Sequence, residues 1–166
     1  MKIYIAHSKS FDYQNELYVP IRNDKTLSVH EVLLPHEFSN TSSNRRDFYK
    51  DIDLFIAECS YPSTGLGIEL GWAFDDNTPI YCLHKKGTEV SGSIYAITQN
   101  ILEYKDIDEM LEIIEKIAMK CNQKMKYEQD NNWMYKDNAM KQINNLVLSF
   151  PSIYVVQAAI KAGKQE

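Results

Sequence analysis

From the second residue onward, short apolar runs alternate with stretches of helical period, and this alternation narrows the fold more than any other feature. The runs are KIYIA at 2–6, SVHEVLL at 28–34, DLFIAEC at 53–59, PIYCLH at 79–84 and ILEY at 101–104. Runs that are apolar without strict alternation suit strands buried on both faces, as in parallel sheets. Parallel neighbours need a crossover between them, usually a helix, and the intervening segments are long enough to supply one. The pattern predicts an α/β fold, a flavodoxin-like doubly wound five-stranded parallel sheet, over residues 1–122. In such sheets ligands bind at the carboxyl ends of the strands beside the switch point, so the loops after Ala6, Leu34, Cys59 and His84 share one rim.

The intervening segments carry helix signals. Residues 12–19 read as a helix, with Asp12 as N-cap and Pro20 near its end. Short helical pieces are expected around Arg45–Lys50 and Ser93–Gln99, and longer ones from about Gly65 to Asp76 and from Asp106 to Asn122. In the last of these, Ile107, Met110, Leu111, Ile114, Ile117 and Ala118 follow a 3.6-residue period, and its acidic positions form a solvated face. Residues 123–166 change character: they are rich in Asn, Gln, Lys and Met, without a strand pattern. Ala139, Ile143, Leu146, Val147 and Phe150 form one helical stripe that Pro151 breaks. We read this part as a helical extension that covers the domain or packs on a partner subunit.

Charge excludes several roles. The net charge is −5, divided into −7 over residues 1–122 and +2 over 123–166. Neither part offers the basic face that nucleic-acid binding or an anionic membrane surface requires. No apolar run approaches the roughly 18 residues of a membrane span. The start MKIYIAHSKSFDY has no signal-peptide pattern, so a cytoplasmic location is expected. Cys59, Cys82 and Cys121 are odd in number and widely spaced, which argues against a disulfide framework or a zinc site. Cys59 reads as a small buried side chain, and Trp72 and Trp133 as packing residues. A small anionic ligand remains possible, because local donors bind one despite a negative chain.

Five of the six glycines lie between positions 65 and 92, and three of them fall in Gly65-Leu-Gly-Ile-Glu-Leu-Gly-Trp-Ala73. A strand here feeds a tight turn and the turn a helix, with Ser63 and Thr64 as N-cap types. Free N–H groups at such a start favour an anion. Gly67 and Gly71, four apart, let the helix backbone lie close to the sheet or to a ligand, and Leu66, Leu70 and Ala73 form the buried stripe beside them. Glu69 stands near the positive end of the helix dipole, which favours a charged carboxylate. Such a carboxylate at a ligand rim is what attack on a sugar carbon requires; a solvent-exposed glutamate of a first turn fits the same spacing.

The nonapeptide resembles the GLGxELGxA signature of the nucleoside 2-deoxyribosyltransferase superfamily, which includes the 2'-deoxynucleoside 5'-phosphate N-hydrolases. The resemblance covers residues 2–120 in order and spacing of strands. It implies that Glu69 is the nucleophile that forms a covalent deoxyribosyl–enzyme intermediate. It implies too that Tyr4, in the first strand, sits near sugar and base. By the same resemblance Asp47 is the second carboxylate, contacting sugar hydroxyls and protonating the leaving base, although the Asp47–Glu58 interval is somewhat shorter than in the hydrolases. A helix-start or surface aspartate fits Asp47 equally. His36 lies where a rim residue meets the base, or is a surface histidine.

Ser63, six residues before Glu69, stands where transferases carry an aspartate for the 5'-hydroxyl and resembles the phosphate-contacting serine of the hydrolases. A hydroxyl suits a dianionic phosphate, whereas a carboxylate repels it. Gly65 and Gly67 belong to the same phosphate-facing turn and helix. Ser91 resembles a phosphate contact supplied across a dimer interface, or simply caps the next helical turn. The first loop departs from the family: it reads His7-Ser8-Lys9-Ser10, with no glycine, so His7, Ser8 and Lys9 take the place of the usual donors.

These readings point to an enzyme that cleaves or transfers the N-glycosidic bond of 2'-deoxynucleosides, with the 5'-monophosphates favoured. No cofactor and no metal are implied, and the partners expected are a small deoxynucleoside or deoxynucleotide and a second copy of the chain in a homodimer or larger assembly. The alternatives are a nucleoside 2-deoxyribosyltransferase that exchanges bases on free deoxynucleosides, and a non-catalytic nucleotide-binding sensor.

Overall fold

The computed structural model describes residues 1–37 and 49–149. Five strands, β1 (Lys2–His7), β2 (Glu31–Leu33), β3 (Leu54–Glu58), β4 (Ile80–Lys85) and β5 (Ile101–Tyr104), form one sheet in the order β2-β1-β3-β4-β5. Every pairing is parallel, with Ile3 opposite both Val32 and Leu54, and Cys82 opposite Ile101. This is the doubly wound, flavodoxin-like arrangement, and the direction of winding reverses between β1 and β3.

Burial follows the pleat. On one face Ile3, Ile5, Leu54, Ile56 and Leu83 pack with Leu17, Tyr18 and Ile21 and with the stripe Met110, Ile114, Ile117, Ala118 and Cys121. On the other, Tyr4, Ala6, Phe55, Ala57 and Cys82 meet Leu66, Leu70 and Ala73. Those three residues lie on helix α2, Thr64–Asp75. Asn77, at φ 55, ends this helix in the left-handed conformation that asparagine tolerates, and the chain turns into β4. Cys59 is buried, as its setting predicts, and Trp72 packs against Tyr49 with ring centroids 5.3 Å apart, while the side chain of Trp133 lies outside the described residues.

Several elements differ from expectation. Residues 12–19 do not form one helix that stops at Pro20. A π-helical turn, Gln14–Tyr18, runs into α1, Val19–Asn23, where Pro20 sits at the first turn, a place that needs no N–H from it. Asp12 does cap this start, accepting from the Asn15 N–H at 3.2 Å. Strand β2 is shorter than 28–34, because Leu27–Val29 make a 3-10 turn fixed by Asp24, which accepts from the Leu27 N–H at 2.8 Å. The helix expected around 45–50 falls mostly outside the described residues; Tyr49–Asp51 make a 3-10 turn. Ser93–Gln99 is a 3-10 turn over Gly92–Ala96. The last helix, α3, does not end at Asn122 but runs from Ile107 to Ser149, and Ile107, at its first turn, is exposed and stands outside the buried stripe. The chain divides into two compact units, Met1–Asn122 and Gln123–Glu166. Among the described residues no helix is long and apolar enough to cross a membrane.

The reading of Gly67 and Gly71 as places where the helix backbone nears the sheet is also corrected. Both are exposed, and a Cβ added at either meets nothing within 4 Å, so neither serves close approach to the sheet. Gly71→Ala therefore removes only the conformational cost of glycine inside a helix and is expected to stabilise the fold by about 0.5–1 kcal/mol. Phe55→Ala, which empties a fully buried site beside Tyr4, is expected to cost about 3–5 kcal/mol. Urea unfolding of the two variants checks both signs.

Candidate active site

At the carboxyl ends of β1 and β3, beside the point where winding reverses, lies a cavity of about 470 Å³. Its walls are the segment His7–Ser10, His36 on the loop after β2, and Ser63, Gly65 and Glu69 on the turn and first half of α2. Local sequence explains how α2 points there. Ser63 has extended backbone (φ −152, ψ 139) and its hydroxyl accepts from the Leu66 N–H at 3.3 Å, an N-cap that leaves the hydroxyl hydrogen outside that bond. Leu66 and Leu70 bury the sheet-facing stripe, and Glu69, half-buried between them in sequence, turns to the cavity.

Glu69 is held from β1. Tyr4 Oη donates to Glu69 Oε1 at 3.2 Å, and Tyr49 Oη donates to Tyr4 Oη at 3.0 Å. Tyr4 is buried, with its ring edge-on to Tyr49 and stacked on Phe55. Burial, then the charge of Glu69, pushes the Tyr4 phenol far above the ordinary tyrosine range, so it acts as a donor and not as a phenolate. A hydrogen bond to a carboxylate in such a setting is worth about 1.5–3 kcal/mol and fixes where one oxygen points. Tyr49 went unnoticed in the sequence; its signal there was only one more aromatic in a tyrosine-rich chain.

The first loop is tied by its own side chains. Ser8 is buried, donates to Ser10 Oγ at 3.1 Å and accepts from the Ser10 N–H at 3.2 Å, while Lys9 is exposed on the cavity wall. His7 is buried and both ring nitrogens are engaged within the protein. Nδ1 lies 2.7 Å from the Ser8 carbonyl oxygen and Nε2 lies 2.8 Å from Tyr18 Oη. What His7 presents to the cavity is ring surface, not a ring N–H donor as the place of a phosphate contact would require.

Of the residues singled out in the sequence, Tyr4, His7, Ser8, Lys9, His36, Ser63, Gly65 and Glu69 come together. Gly67 and Ser91 do not reach this cavity. They line a neighbouring one of about 420 Å³ with Ser93 and Ile94, separated from the first by the shared wall of Pro62, Ser63 and Leu66. Ser91 stands at the N-cap position of the 3-10 turn without a side-chain capping bond. Asp47 lies outside the described residues.

A second polar knot sits on the opposite face of the sheet. Glu58, at the end of β3, is buried, and its Oε1 accepts from the Ser60 N–H at 3.2 Å, from the Ser60 hydroxyl and from Tyr104 Oη at 3.0 Å. Ser60 Oγ in turn accepts from the Lys85 N–H at 2.7 Å. The ends of β3, β4 and β5 are thereby joined under the turn that leads to Ser63. Burial raises Glu58 above its ordinary value of 4.5, with the bonds from Ser60 and Tyr104 and the charge of Lys85 pulling the other way. A raised carboxyl gives stability that is complete below the ordinary value and declines as pH rises through the folded one. Glu58→Gln, which stays neutral and keeps an acceptor, is expected to gain stability relative to the parent as pH climbs from 4.5 upward. Urea midpoints measured across that range check it, and a constant difference would contradict it.

No protein-family model and no curated protein matches this sequence. Among solved structures the chain is similar to a conserved protein from Enterococcus faecalis V583, with a TM-score of 0.51 and 16% identity, covering 70% of this chain and 98% of that chain. It is also similar to the CMP N-glycosidase BcmB of Clostridium botulinum, with a TM-score of 0.49 and 21% identity, covering 69% of this chain and 99% of that chain. The likeness to the Enterococcus protein establishes a shared fold.

Proposed function

We propose that the chain cleaves the N-glycosidic bond of 2'-deoxynucleoside 5'-monophosphates through a covalent deoxyribosyl–Glu69 intermediate. The observation that carries this reading is a glutamate carboxylate oriented by a buried tyrosine, Tyr4 Oη to Glu69 Oε1 at 3.2 Å, inside a cavity at the sheet's switch point. The resemblance of residues 65–73 to the deoxyribosyltransferase signature supports it.

In this mechanism a Glu69 oxygen attacks the anomeric carbon while the bond from that carbon to the base nitrogen breaks and the electron pair leaves with the base. A proton reaches the departing base from a general acid, the role we give Asp47. Water, giving up a proton to the Asp47 carboxylate, then attacks the same carbon, breaks its bond to Glu69 and restores the original anomeric configuration, the outcome expected of two displacements. An acceptor base in place of water gives transfer instead. Ser63 and the N–H groups at the start of α2 bind the 5'-phosphate, since the capping bond leaves the Ser63 hydroxyl hydrogen for donation. The same reading makes the active form a homodimer or larger, with Ser91 completing a neighbour's phosphate site; sedimentation velocity tests this point.

The deciding experiment incubates the protein with each deoxynucleoside 5'-monophosphate, each deoxynucleoside and CMP, with and without an acceptor base, and follows base release by chromatography. Glu69→Ala is expected to lower kcat/KM at least about a thousandfold, as removal of a nucleophile does. Ser63→Asp keeps an N-cap but sets a carboxylate against a dianion, so 5'-monophosphate turnover falls at least about tenfold and nucleoside turnover falls less. Turnover of free nucleosides alone would refute the phosphate assignment, and binding without release in every arm would refute catalysis.

A further inference from the structure

We propose, resting on the reading of the cavity as the substrate site, that His7 is a positioning residue that couples the two loops of the cavity wall through Tyr18. The bonding fixes the direction of every hydrogen. The Ser8 carbonyl can only accept, so Nδ1 of His7 carries a hydrogen. Tyr18 Oη accepts from the His36 N–H at 3.1 Å, and its own hydrogen goes to His7 Nε2. The result is one chain of bonds, His36 N–H to Tyr18 O–H to His7 Nε2, and His7 Nδ1–H to the Ser8 carbonyl. Its ends are His36, on the loop after β2, and Ser8, on the loop after β1, and both lie on the wall of the cavity that holds Glu69.

The chain closes in this sense only with a neutral imidazole. A proton added at Nε2 meets the phenol hydrogen, so the Tyr18 O–H must rotate out of that bond and the oxygen that accepts from the His36 N–H is reoriented with it. The surroundings oppose that charge. Phe11, Tyr13, Tyr18 and His36 ring the imidazole at centroid distances of 4.6–5.9 Å. The ionisable groups facing it are Lys9 on its own loop, Tyr13 and Tyr18 from the segment leading into α1, His36 from the loop after β2, and Glu58, its in-register partner on β3. Glu58 is bonded to Ser60 and Tyr104. Burial lowers the His7 value, the Ser8 carbonyl opposes that, and Lys9 adds to the lowering. Among the described residues the loop after β2 is also held by Arg22 and Glu37, with Nε donating to Oε1 at 3.0 Å, so losing the relay loosens the loop without releasing it.

The consequence is an acid-side loss of substrate affinity with little change in kcat, because the Tyr49–Tyr4–Glu69 chain lies on the other face of β1 and does not pass through His7. Long-range 15N–1H spectra test the relay without turnover. In a His36→Asn background, which keeps the backbone N–H and removes the loop's own imidazole, His7 is expected as the Nδ1–H form with a midpoint below the ordinary value of about 6.5. The residue-36 amide is expected to shift with that same midpoint, and to stop doing so in His7→Gln and in Tyr18→Phe. With the native His36 and a turned-over nucleotide, KM is expected to rise about fivefold below the midpoint. His7→Gln loses this step. A residue-36 amide that ignores His7, or an acid step in KM that persists in His7→Gln, overturns the proposal. If no nucleotide is turned over, the spectra decide alone: the relay then stands or falls while the proposed function falls.

Discussion

Strand β1 lies between β2 and β3, and its alternating side chains go to two different jobs. Even positions face α2, so Tyr4 meets Phe55, Tyr49 and the carboxylate of Glu69. Odd positions face α1, so after Ile3 and Ile5 the next one, His7, ends the strand among Tyr13, Tyr18 and His36. A one-residue slip of β1 would exchange these sets and remove both, which is why register here is set as much by the rim as by the core. The parallel pairing of Ala6 with Ala57 and His7 with Glu58 brings the loops after β1 and β3 side by side, and the cavity is the space between them.

The rim is stiffened by polar bonds where apolar packing ends. Glu58, Ser60, Tyr104 and the Lys85 N–H join three strand ends on one face. Tyr49, Tyr4 and Glu69 make a second chain on the other. Buried polar groups cost free energy when unmet, so each chain holds only in the arrangement that meets its members. Among the described residues Glu58 Oε2 has no partner, and that unmet oxygen is one reason its proton is held more tightly than in water. Turns hung on such chains are placed more firmly than turns that rely on their own sequence.

Much of this was legible in the sequence, for a reason that also explains the misses. Strands buried on both faces show themselves as apolar runs, and the runs match β5 to the residue and β1, β3 and β4 to within one residue at each end. Strand β2 was overestimated because SVH looks extended, while Asp24 pulls that stretch into a 3-10 turn with Val29 three-quarters exposed. The end of α3 was placed at Asn122 because the apolar stripe fades there. Lys, Gln, Glu and Met continue a helix by propensity without one. The glycines of 65–73 mark a segment that lines the cavity, yet spacing alone says that Gly67 and Gly71 share a face, not that the face is open to solvent. His7 and Tyr18 sit eleven residues apart and Tyr4 and Glu69 sixty-five, and pairings of that kind become visible only when the sheet has formed.

If Glu69 attacks carbon, Tyr4 has two opposing effects on it. A phenol hydrogen bond steadies the carboxylate and so lowers its reactivity. The same bond fixes one oxygen and spares the entropy of orienting the group at the moment of reaction. What decides the balance is whether Tyr4 can surrender its proton. Burial and the neighbouring negative charge hold the phenol firmly protonated, and Tyr49 supplies the donor that Tyr4 accepts. The phenol therefore keeps its proton and meets the charge of an attacking carboxylate as a neutral donor. As the new bond forms, that charge passes to the departing base and the Tyr4 bond weakens with it. The stabilisation lost at the carboxylate is thus limited to a neutral donor's share, well below what a lysine or arginine in the place of Tyr4 would impose.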